Sequence, residues 1–304
     1  MKQFNDITII GIDQGYGNMK TANTIFPTAI TAYDTAPMFK GDVLEYGGKF
    51  YRVGEGHKGF VADKSTDGDF YLLTLAAIAK ELEQYRLFTA NLCRSVGLPL
   101  SWVGSQRESF RQYLMQNETI RFRFNGNLFQ LRIVGCKVYP QGYAAIVQQL
   151  ADFEGEHLLA DIGNGTMNLL YLTDSQPQES RCWTEKIGVN QCMIRAKEAV
   201  LRRFGSKISD STVEQILRTG TAKIDADYLA CIREVASGYV AELFAALRSY
   251  EYDPATTHLT IVGGGGQLVK HFGSYDPEQV TIVDDICAAA KGYEYMAYRQ
   301  MLRG

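Results

Sequence analysis

Runs of apolar residues mark the buried strands that this sequence predicts. Ile7–Ile12 is rich in β-branched residues, and Leu158–Ala160 and Leu259–Val262 are similar short runs that end at an aspartate or a glycine. Short apolar runs bounded by turn residues are typical of buried strands. A further strand is predicted at Phe88–Gly97. Buried strands are thus expected in both halves of the chain.

Two other segments alternate between polar and apolar residues, and each predicts a β-hairpin. Thr119–Phe124 and Leu128–Val134 flank Asn125-Gly126, a pair that favours a tight two-residue turn. Leu44–Val53 has Gly47-Gly48 at its centre and predicts a second, shorter hairpin. Alternation puts apolar side chains on one face of a ribbon, so each hairpin is expected to have one polar face.

Helices are predicted where apolar residues recur every three or four positions. Phe70–Tyr85 carries such a stripe and is preceded by the candidate cap residues Asp67 and Asp69. Ser105–Glu108 and Ser211–Glu214 fit the capping box, so we expect a helix to begin at each of them. Further helices are predicted at Gly142–Phe153, Gly188–Phe204, Ala226–Tyr250 and Asp284–Leu302.

The most informative pattern is a motif that occurs twice, each time directly after a buried strand. The first copy is Asp13-Gln14-Gly15-Tyr16-Gly17-Asn18-Met19-Lys20, and the second is Asp161-Ile162-Gly163-Asn164-Gly165-Thr166. Both have the form Asp-x-Gly-x-Gly and lead into an outgoing strand. The two copies lie about half of the 304 residues apart. We therefore expect two domains of similar design, each presenting one such hairpin.

A glycine-rich turn after an aspartate suits a phosphate group and its metal ion. Glycine lets backbone N–H groups approach an anion, because no side chain holds the anion away. The carboxylate at the strand end can hold the Mg²⁺ that accompanies a polyphosphate, directly or through water. A single copy also fits an ordinary turn, whereas two copies favour phosphate binding. The candidate metal ligands are Asp13 and Asp161, and the candidate phosphate contacts are Gly15, Tyr16, Gly17, Asn18, Lys20, Gly163, Asn164, Gly165 and Thr166.

A third glycine-rich segment follows the strand at Leu259–Val262. It consists of Gly263, Gly264, Gly265 and Gly266, and Gln267–Phe272 then predicts the start of a helix. Backbone N–H groups at a helix start suit an anion or the ribose and phosphate of a nucleotide, so Gln267 and the four glycines are candidate nucleotide contacts. A close packing turn between strand and helix is the alternative. The run lacks the ending of a Walker A loop, and the first motif lacks the third glycine of the dinucleotide-binding fingerprint.

In their order the three glycine motifs resemble those of the actin-like ATPase superfamily, which includes actin, DnaK-type chaperones and sugar kinases. That family has a first phosphate loop, a second phosphate loop and a late adenosine motif, which correspond here to Asp13–Lys20, Asp161–Thr166 and Val262–Leu268. The resemblance implies an α/β chain with the actin-like, ribonuclease H-like two-domain fold. It implies ATP or ADP with Mg²⁺ in the interdomain cleft, and Lys20 as a point charge near the phosphates.

Within that superfamily the chain is most similar to the ParM/StbA-type plasmid-segregation actins of bacteria. The similarity lies in the stretches Gly17–Asn23, Gly97–Pro99, Val138–Gly142 and Lys186–Asn190. The resemblance places Gln141 where many relatives have a glutamate that orients the attacking water. A glutamine can orient water but cannot take its proton, so slow hydrolysis is implied, with Gln141 and Asp161 as catalytic residues.

The resemblance also implies how the chain divides and what it assembles with. Domain I is expected at 1–155 plus 285–304, with a variable subdomain at about 30–85. Domain II is expected at 156–284, with a helical subdomain at about 195–257. Nucleotide-dependent self-association into filaments would segregate plasmid DNA through a separate DNA-binding adaptor protein.

Composition limits the classes of partner. The chain has 31 Lys and Arg against 34 Asp and Glu, so its formal net charge is −3, and no direct sequence-specific DNA binding is expected. No apolar run approaches the ~20 residues of a membrane span, and the N-terminus lacks a signal-peptide core, so a cytoplasmic protein is expected. The six cysteines form no CxxC pair and are expected to be core residues.

Two other functions stay open on the same fold. A small-molecule kinase would need a carboxylate base on the substrate side, and Gln141 argues against it, as does the lack of an obvious extra aspartate after the second motif. A regulatory or chaperone-like ATPase would close around its nucleotide without polymerising.

Overall fold

The chain folds into two compact units, each with its own hydrophobic core. The computed structural model describes residues 1–55, 64 and 67–303. The first unit is Met1–Gln148 with Cys287–Gly304, and the second is Gln149–Ile286. Part of the predicted variable subdomain, 56–63 and 65–66, lies outside the described residues, as does Gly304. Four of the six cysteines are buried, as expected of core residues: Cys93, Cys136, Cys192 and Cys231.

The sheet of the first unit is built around three parallel strands. Its strands are β1 (Lys2–Phe4), β2 (Ile7–Gln14), β3 (Asn18–Lys20), β4 (Ile25–Pro27), β5 (Ile30–Tyr33), β6 (Val43–Tyr46), β7 (Lys49–Val53), β8 (Thr89–Leu98), β9 (Thr119–Phe124) and β10 (Asn127–Pro140). Their spatial order is β4-β3-β2-β8-β10-β9-β6-β7-β5, with β1 beside β2. Because β2, β8 and β10 run parallel, their carboxyl ends meet at one edge of the sheet.

The sheet of the second unit repeats the central part of the first. Its strands are β11 (Glu156–Ile162), β12 (Met167–Thr173), β13 (Gln176–Glu185), β14 (His258–Val262) and β15 (Val280–Ile282), in the order β13-β12-β11-β14-β15. The central strand is β2 in the first unit and β11 in the second. On one side of it the next two neighbouring pairs are antiparallel, and on the other side the next two are parallel. The order β13-β12-β11-β14-β15 therefore matches β4-β3-β2-β8-β10.

The helices in chain order are α1 (Gly68–Glu83), α2 (Leu100–Met115), α3 (Tyr143–Ile146), α4 (Val189–Phe204), α5 (Asp210–Thr219), α6 (Ala226–Ser249), α7 (Gly265–Phe272) and α8 (Ala288–Leu302). The first unit contains α1, α2, α3 and α8, and the second contains α4 to α7. Of the two expected caps of α1, Asp67 is confirmed, because its carboxylate accepts a hydrogen bond from Asp69 N at 3.0 Å. Asp69 is wrong as a cap, since it lies inside the first turn of the helix. In the part of the chain that the structure describes, no helix is both long and apolar enough to cross a membrane.

Both predicted capping boxes are wrong in position. Helix α2 begins at Leu100 after Pro99, and Ser105 lies inside it, where its hydroxyl donates to Trp102 O at 3.3 Å. Proline suits a helix start because its missing N–H would have no intrahelical partner there. Helix α5 is capped two residues early, by the Ser209 hydroxyl, which accepts from Thr212 N at 3.2 Å.

Two predicted helices are shorter than expected. The helix predicted at Gly142–Phe153 ends at Ile146, followed by one 3₁₀ turn at Leu150–Asp152. Its first turn packs so closely on α8 that a Cβ at Gly292 would lie 1.7 Å from the Ala144 carbonyl oxygen, so tertiary packing rather than periodicity sets its length. Helix α8 begins at Ala288 instead of Asp284, whose carboxylate accepts two hydrogen bonds from Lys270 at 2.8 Å.

Helix α8 approaches the first-unit sheet where only glycine leaves enough room. A Cβ at Gly11 in β2 would lie 1.9 Å from the Ala290 carbonyl oxygen. A Cβ at Gly97 in β8 would lie 1.9 Å from Tyr293 Oη. These distances are far below van der Waals contact, so the glycines let α8 seat directly on both strands.

A buried carboxylate of α8 lies beside the same strand. Glu294 Oε1 accepts a hydrogen bond from Gly11 N at 3.2 Å and lies 3.4 Å from the amino group of Met1, which also pairs with Glu81 at 3.0 Å. Burial raises the pKa of Glu294 to about 7, although the amino group and the Gly11 N–H oppose the rise.

Gly11→Ala should destabilise the first unit by about 1–3 kcal/mol, because the added methyl group would overlap the Ala290 carbonyl oxygen. The matched control is Gly104→Ala in α2, where a Cβ meets nothing within 4 Å and alanine is favoured over glycine by about 1 kcal/mol. Urea unfolding of both variants measures the difference. Equal stability of the two would contradict the close approach of α8 to β2.

Stability should also depend on pH through Glu294. Folding raises the pKa of Glu294 from 4.5 to about 7. The contribution of Glu294 to the free energy of unfolding is therefore greatest below pH 4.5, where the carboxyl group is protonated in both states, and it is lost as the pH rises through about 7. Glu294→Gln stays neutral throughout, so the difference in unfolding free energy between wild type and variant should change by up to about 3 kcal/mol over that window. Urea unfolding at a series of pH values tests this; parallel profiles would refute it.

Candidate functional site

The first Asp-x-Gly-x-Gly motif forms the turn between β2 and β3. Asp13 is paired with Lys20 across the hairpin in the strand register. Lys20 Nζ lies 2.7 Å from Asp13 Oδ2, and Asp13 is only 7% exposed. The acidic and basic ends of the motif therefore form one ion pair at the base of the hairpin.

The backbone of this hairpin is fixed by the residue that follows β4. Thr28 N donates to Gly17 O at 3.0 Å, and the Thr28 hydroxyl donates to Gly15 O at 2.6 Å. A Cβ at Gly15 would lie 2.7 Å from Asn18 O, so this turn requires a glycine. The two carbonyl groups are thereby bound to Thr28.

Gln141 lies at the same edge of the first-unit sheet as Asp13. It follows β10, while Asp13 is near the end of β2, and β8 runs between these two strands. Gln141 N donates to Leu98 O at 2.8 Å, and a Cβ at Gly97 would lie 2.9 Å from Gln141 Cγ. The carboxyl edge of a parallel sheet is where ligands bind in open α/β folds.

The second motif forms the turn between β11 and β12 and is held by the first turn of α4. Asp161 is near the end of β11, and Gly163 N donates to Thr166 O at 2.8 Å across the turn. Val189 N donates to Gly163 O at 3.1 Å, and Asn190 N donates to Asn164 O at 2.9 Å. The hairpin and the helix start are thus one hydrogen-bonded unit.

Gly188 lets this helix come close to the hairpin. A Cβ at Gly188 would lie 2.5 Å from Asn164 O. Gly188 N donates to the Gln191 side chain at 2.9 Å, and the Tyr239 hydroxyl donates to Gly188 O at 2.8 Å. The stretch Lys186–Asn190, singled out by its resemblance to plasmid-segregation actins, is therefore the support of the second hairpin.

The run of four glycines lies beside the second hairpin. Val262 is paired with Asp161 in the parallel register of β14 and β11. Gly263 has φ +86°, and a Cβ there would lie 2.7 Å from Asp161 Oδ1. A Cβ at Gly265 would lie 2.1 Å from Ile162 Cγ2. Close packing accounts for these two glycines, whereas a Cβ at Gly264 would meet nothing within 4 Å.

One residue at the first hairpin was missed by sequence reasoning. The Lys64 ammonium group donates to the Gln14 carbonyl oxygen and lies 5.0 Å from the centroid of the Tyr16 ring. Burial lowers the pKa of Lys64 to about 8, with the charge of Asp13 opposing this and that of Lys20 adding to it. A single lysine has no periodicity or spacing that would mark it in the sequence.

Neither aspartate belongs to a ready-made metal cluster. Within residues 1–55, 64 and 67–303, no group of three or more His, Cys, Asp or Glu side chains is arranged to hold a metal ion. A cation at Asp13 or Asp161 would need further oxygen ligands from water or phosphate. Single carboxylates completed by water and phosphate fit Mg²⁺, which keeps several waters when bound.

Comparison with known proteins finds one family model that matches part of the chain. Residues 11–143 match the family model described as "Actin like proteins N terminal domain". A search of curated proteins finds no significant match.

Solved structures match the chain over nearly its whole length. The archaeal actin homologue Ta0583 has a TM-score of 0.75 at 20% identity, covering 96% of this chain and 99% of its own. ParM from Bacillus thuringiensis, solved with ATP, has a TM-score of 0.72 at 11% identity, covering 98% and 100%.

A filament structure is also among the matches. The 15-stranded ParM filament from Clostridium botulinum matches with a TM-score of 0.69 at 17% identity, covering 96% of this chain and 99% of its own. At such identities the matches establish the fold. The chain therefore has the actin-like fold, and its residues 11–143 match the model of actin-like protein N-terminal domains.

Proposed function

We propose that this chain is an actin-like ATPase that polymerises into nucleotide-dependent filaments for the segregation of plasmid DNA. The observation that carries the proposal is the repeat of one hairpin, Asp-x-Gly-x-Gly, at the carboxyl edge of the same strand topology in both units. In this proposal the first unit is domain I and the second is domain II.

The two hairpins supply the contacts for phosphate. Their glycines place no side chain between the backbone and an anion, and Lys20 brings a positive charge. Asp13 and Asp161 each supply one carboxylate to Mg²⁺ or to its water. The metal ion would neutralise the charge that develops on the phosphate oxygens.

The position of Gln141 fits a water-orienting residue. Its backbone is fixed to β8 by the hydrogen bond to Leu98, so the side chain projects from a rigid strand end. An amide can hold a water molecule in line with the phosphate but cannot accept its proton, and we infer slow hydrolysis.

The relatives support nucleotide binding and self-association. The matching ParM from Bacillus thuringiensis was solved with ATP, and Ta0583 was also solved with ADP. The matching ParM from Clostridium botulinum forms a filament. A head-to-tail contact that does not close on itself produces such a filament.

An exposed apolar loop offers a contact between subunits. Between β5 and β6, Met38 is 96% exposed and Phe39 is 83% exposed. The loop is nevertheless anchored, because the Arg52 guanidinium donates to the carbonyl oxygens of Phe39 and Lys40 at 2.5 Å. Two large apolar side chains held outward on a fixed loop suit burial against a second copy of the chain.

The net charge of −3 suits a protein that reaches DNA through an adaptor. We propose that the filament forms in the cytoplasm, binds a separate DNA-binding adaptor protein, and makes no sequence-specific contact with DNA itself.

Assembly should follow the nucleotide. The purified chain should scatter light and pellet with Mg²⁺ and ATP, and should disassemble as ATP is consumed.

Asp161→Ala should reduce the rate of ATP hydrolysis about 10- to 100-fold, because a ligand of the metal ion or of its water is lost. Asp227→Ala, at an exposed first-turn position of α6, is the control. If the wild-type chain stays monomeric with ATP and phosphorylates a small molecule, the proposed filament function is wrong and the kinase function is favoured.

The exposed loop should be needed for assembly but not for nucleotide binding. Met38→Ser combined with Phe39→Ser should raise the critical concentration for pelleting at least about tenfold, since burial of one such side chain contributes about 1.5–3 kcal/mol. Leu302→Ser replaces another exposed apolar residue and serves as control. Unchanged pelleting of the double variant would exclude this loop as a subunit contact.

A further inference from the structure

Lys64 is held against the first hairpin by groups that carry no negative charge. Its ammonium group donates to the Gln14 carbonyl oxygen, and it lies 5.0 Å from the ring centroid of Tyr16 and 5.4 Å from that of Phe70. The residue is only 2% exposed. A buried ammonium ion loses its hydration, and one carbonyl and two rings replace only part of it.

Among the described residues, the carboxylate whose charge acts on Lys64 is that of Asp13, and it is already paired. Asp13 is bound to Lys20 at 2.7 Å, and its charge attracts Lys64 without a direct hydrogen bond between them among the described contacts. Among the described contacts, the ammonium group of Lys64 therefore has no carboxylate bonded to it. A buried ammonium group in this position is stabilised when an anion binds beside it.

The ammonium group of Lys64 lies at the turn whose glycines place no side chain between the backbone and an anion. Gln14, which accepts from Lys64, directly precedes Gly15, and Tyr16 is inside the motif itself. The ammonium group is a compact point charge on a flexible stem, so it can leave a carbonyl for a phosphate oxygen by rotation of its side chain.

We propose that Lys64 is a second phosphate-binding cation of the first hairpin, which acts with Lys20 to bind the polyphosphate of a nucleotide. This inference rests on the proposed function, since it adds a residue to the same site. The alternative is that Lys64 only ties its own segment to the hairpin through the Gln14 carbonyl group.

Three substitutions distinguish the role of the positive charge of Lys64 from the role of its hydrogen bond to the Gln14 carbonyl group. Lys64→Met removes both the charge and the hydrogen bond, Lys64→Gln keeps an N–H donor for the Gln14 carbonyl group, and Lys64→Arg keeps the charge. Binding of ATP, ADP and adenosine to the full chain is measured by calorimetry, together with the melting temperature of each variant. Lys49→Met, at an exposed lysine of β7, controls for the loss of one positive charge.

We expect Lys64→Met and Lys64→Gln to weaken ATP binding about 10- to 100-fold, because a charge-assisted hydrogen bond is lost. Adenosine binding should not change, and Lys64→Arg should retain most of the ATP affinity. If Lys64→Met does not fold, the comparison of Lys64→Gln with Lys64→Arg decides. Recovery of ATP affinity by Gln but not by Arg would show that Lys64 is only an attachment.

Lys20→Met distinguishes failure of this inference from failure of the proposed function. If the wild-type chain binds neither ATP nor ADP, the proposed function is wrong, and the inference falls with it. If Lys20→Met loses ATP affinity while all three Lys64 variants match Lys49→Met, only the inference is overturned.

Discussion

The arrangement of the first unit depends on backbone-to-backbone packing of its last helix. Gly11 and Gly97 let α8 lie on β2 and β8, and Gly292 lets α3 lie on α8. Asp13 follows Gly11 by two residues, and Gln141 is in contact with the Gly97 region. A helix from the end of the chain thus sets the relative positions of strand ends that are more than a hundred residues apart in sequence. At Gly11 and Gly292 the contacts are with main-chain carbonyl groups, which cannot move aside as a side chain could, whereas at Gly97 the contact is with the side chain of Tyr293.

Features with a local cause could be predicted from the sequence. The hairpin around Asn125-Gly126 forms where alternation and turn residues agree. The capping boxes failed because several Ser and Thr residues compete near Ser211, and because Pro99 starts α2 earlier. Features with a distant cause could not be predicted. The early end of the helix at Ile146 and the place of Lys64 both depend on neighbours remote in sequence.

The two hairpins share a form but differ in their support. The first is held by Thr28 and has an internal ion pair, whereas the second is held by the N–H groups of α4 and lies beside the glycine run. Each carries a single aspartate, and the described residues hold no group of three or more His, Cys, Asp or Glu side chains arranged for a metal ion. In the proposed function, metal and nucleotide would therefore bind together, because the phosphate supplies the oxygens that the described protein residues lack.

The anchored loop that carries Met38 and Phe39 also bears on the kinetics of association. Arg52 is almost fully buried and holds the main chain of Phe39 and Lys40, so the loop is already ordered before any partner arrives. Ordering a flexible loop on binding costs conformational entropy and slows productive encounters. In the proposed filament, a preformed loop would avoid that cost and would favour fast addition of subunits.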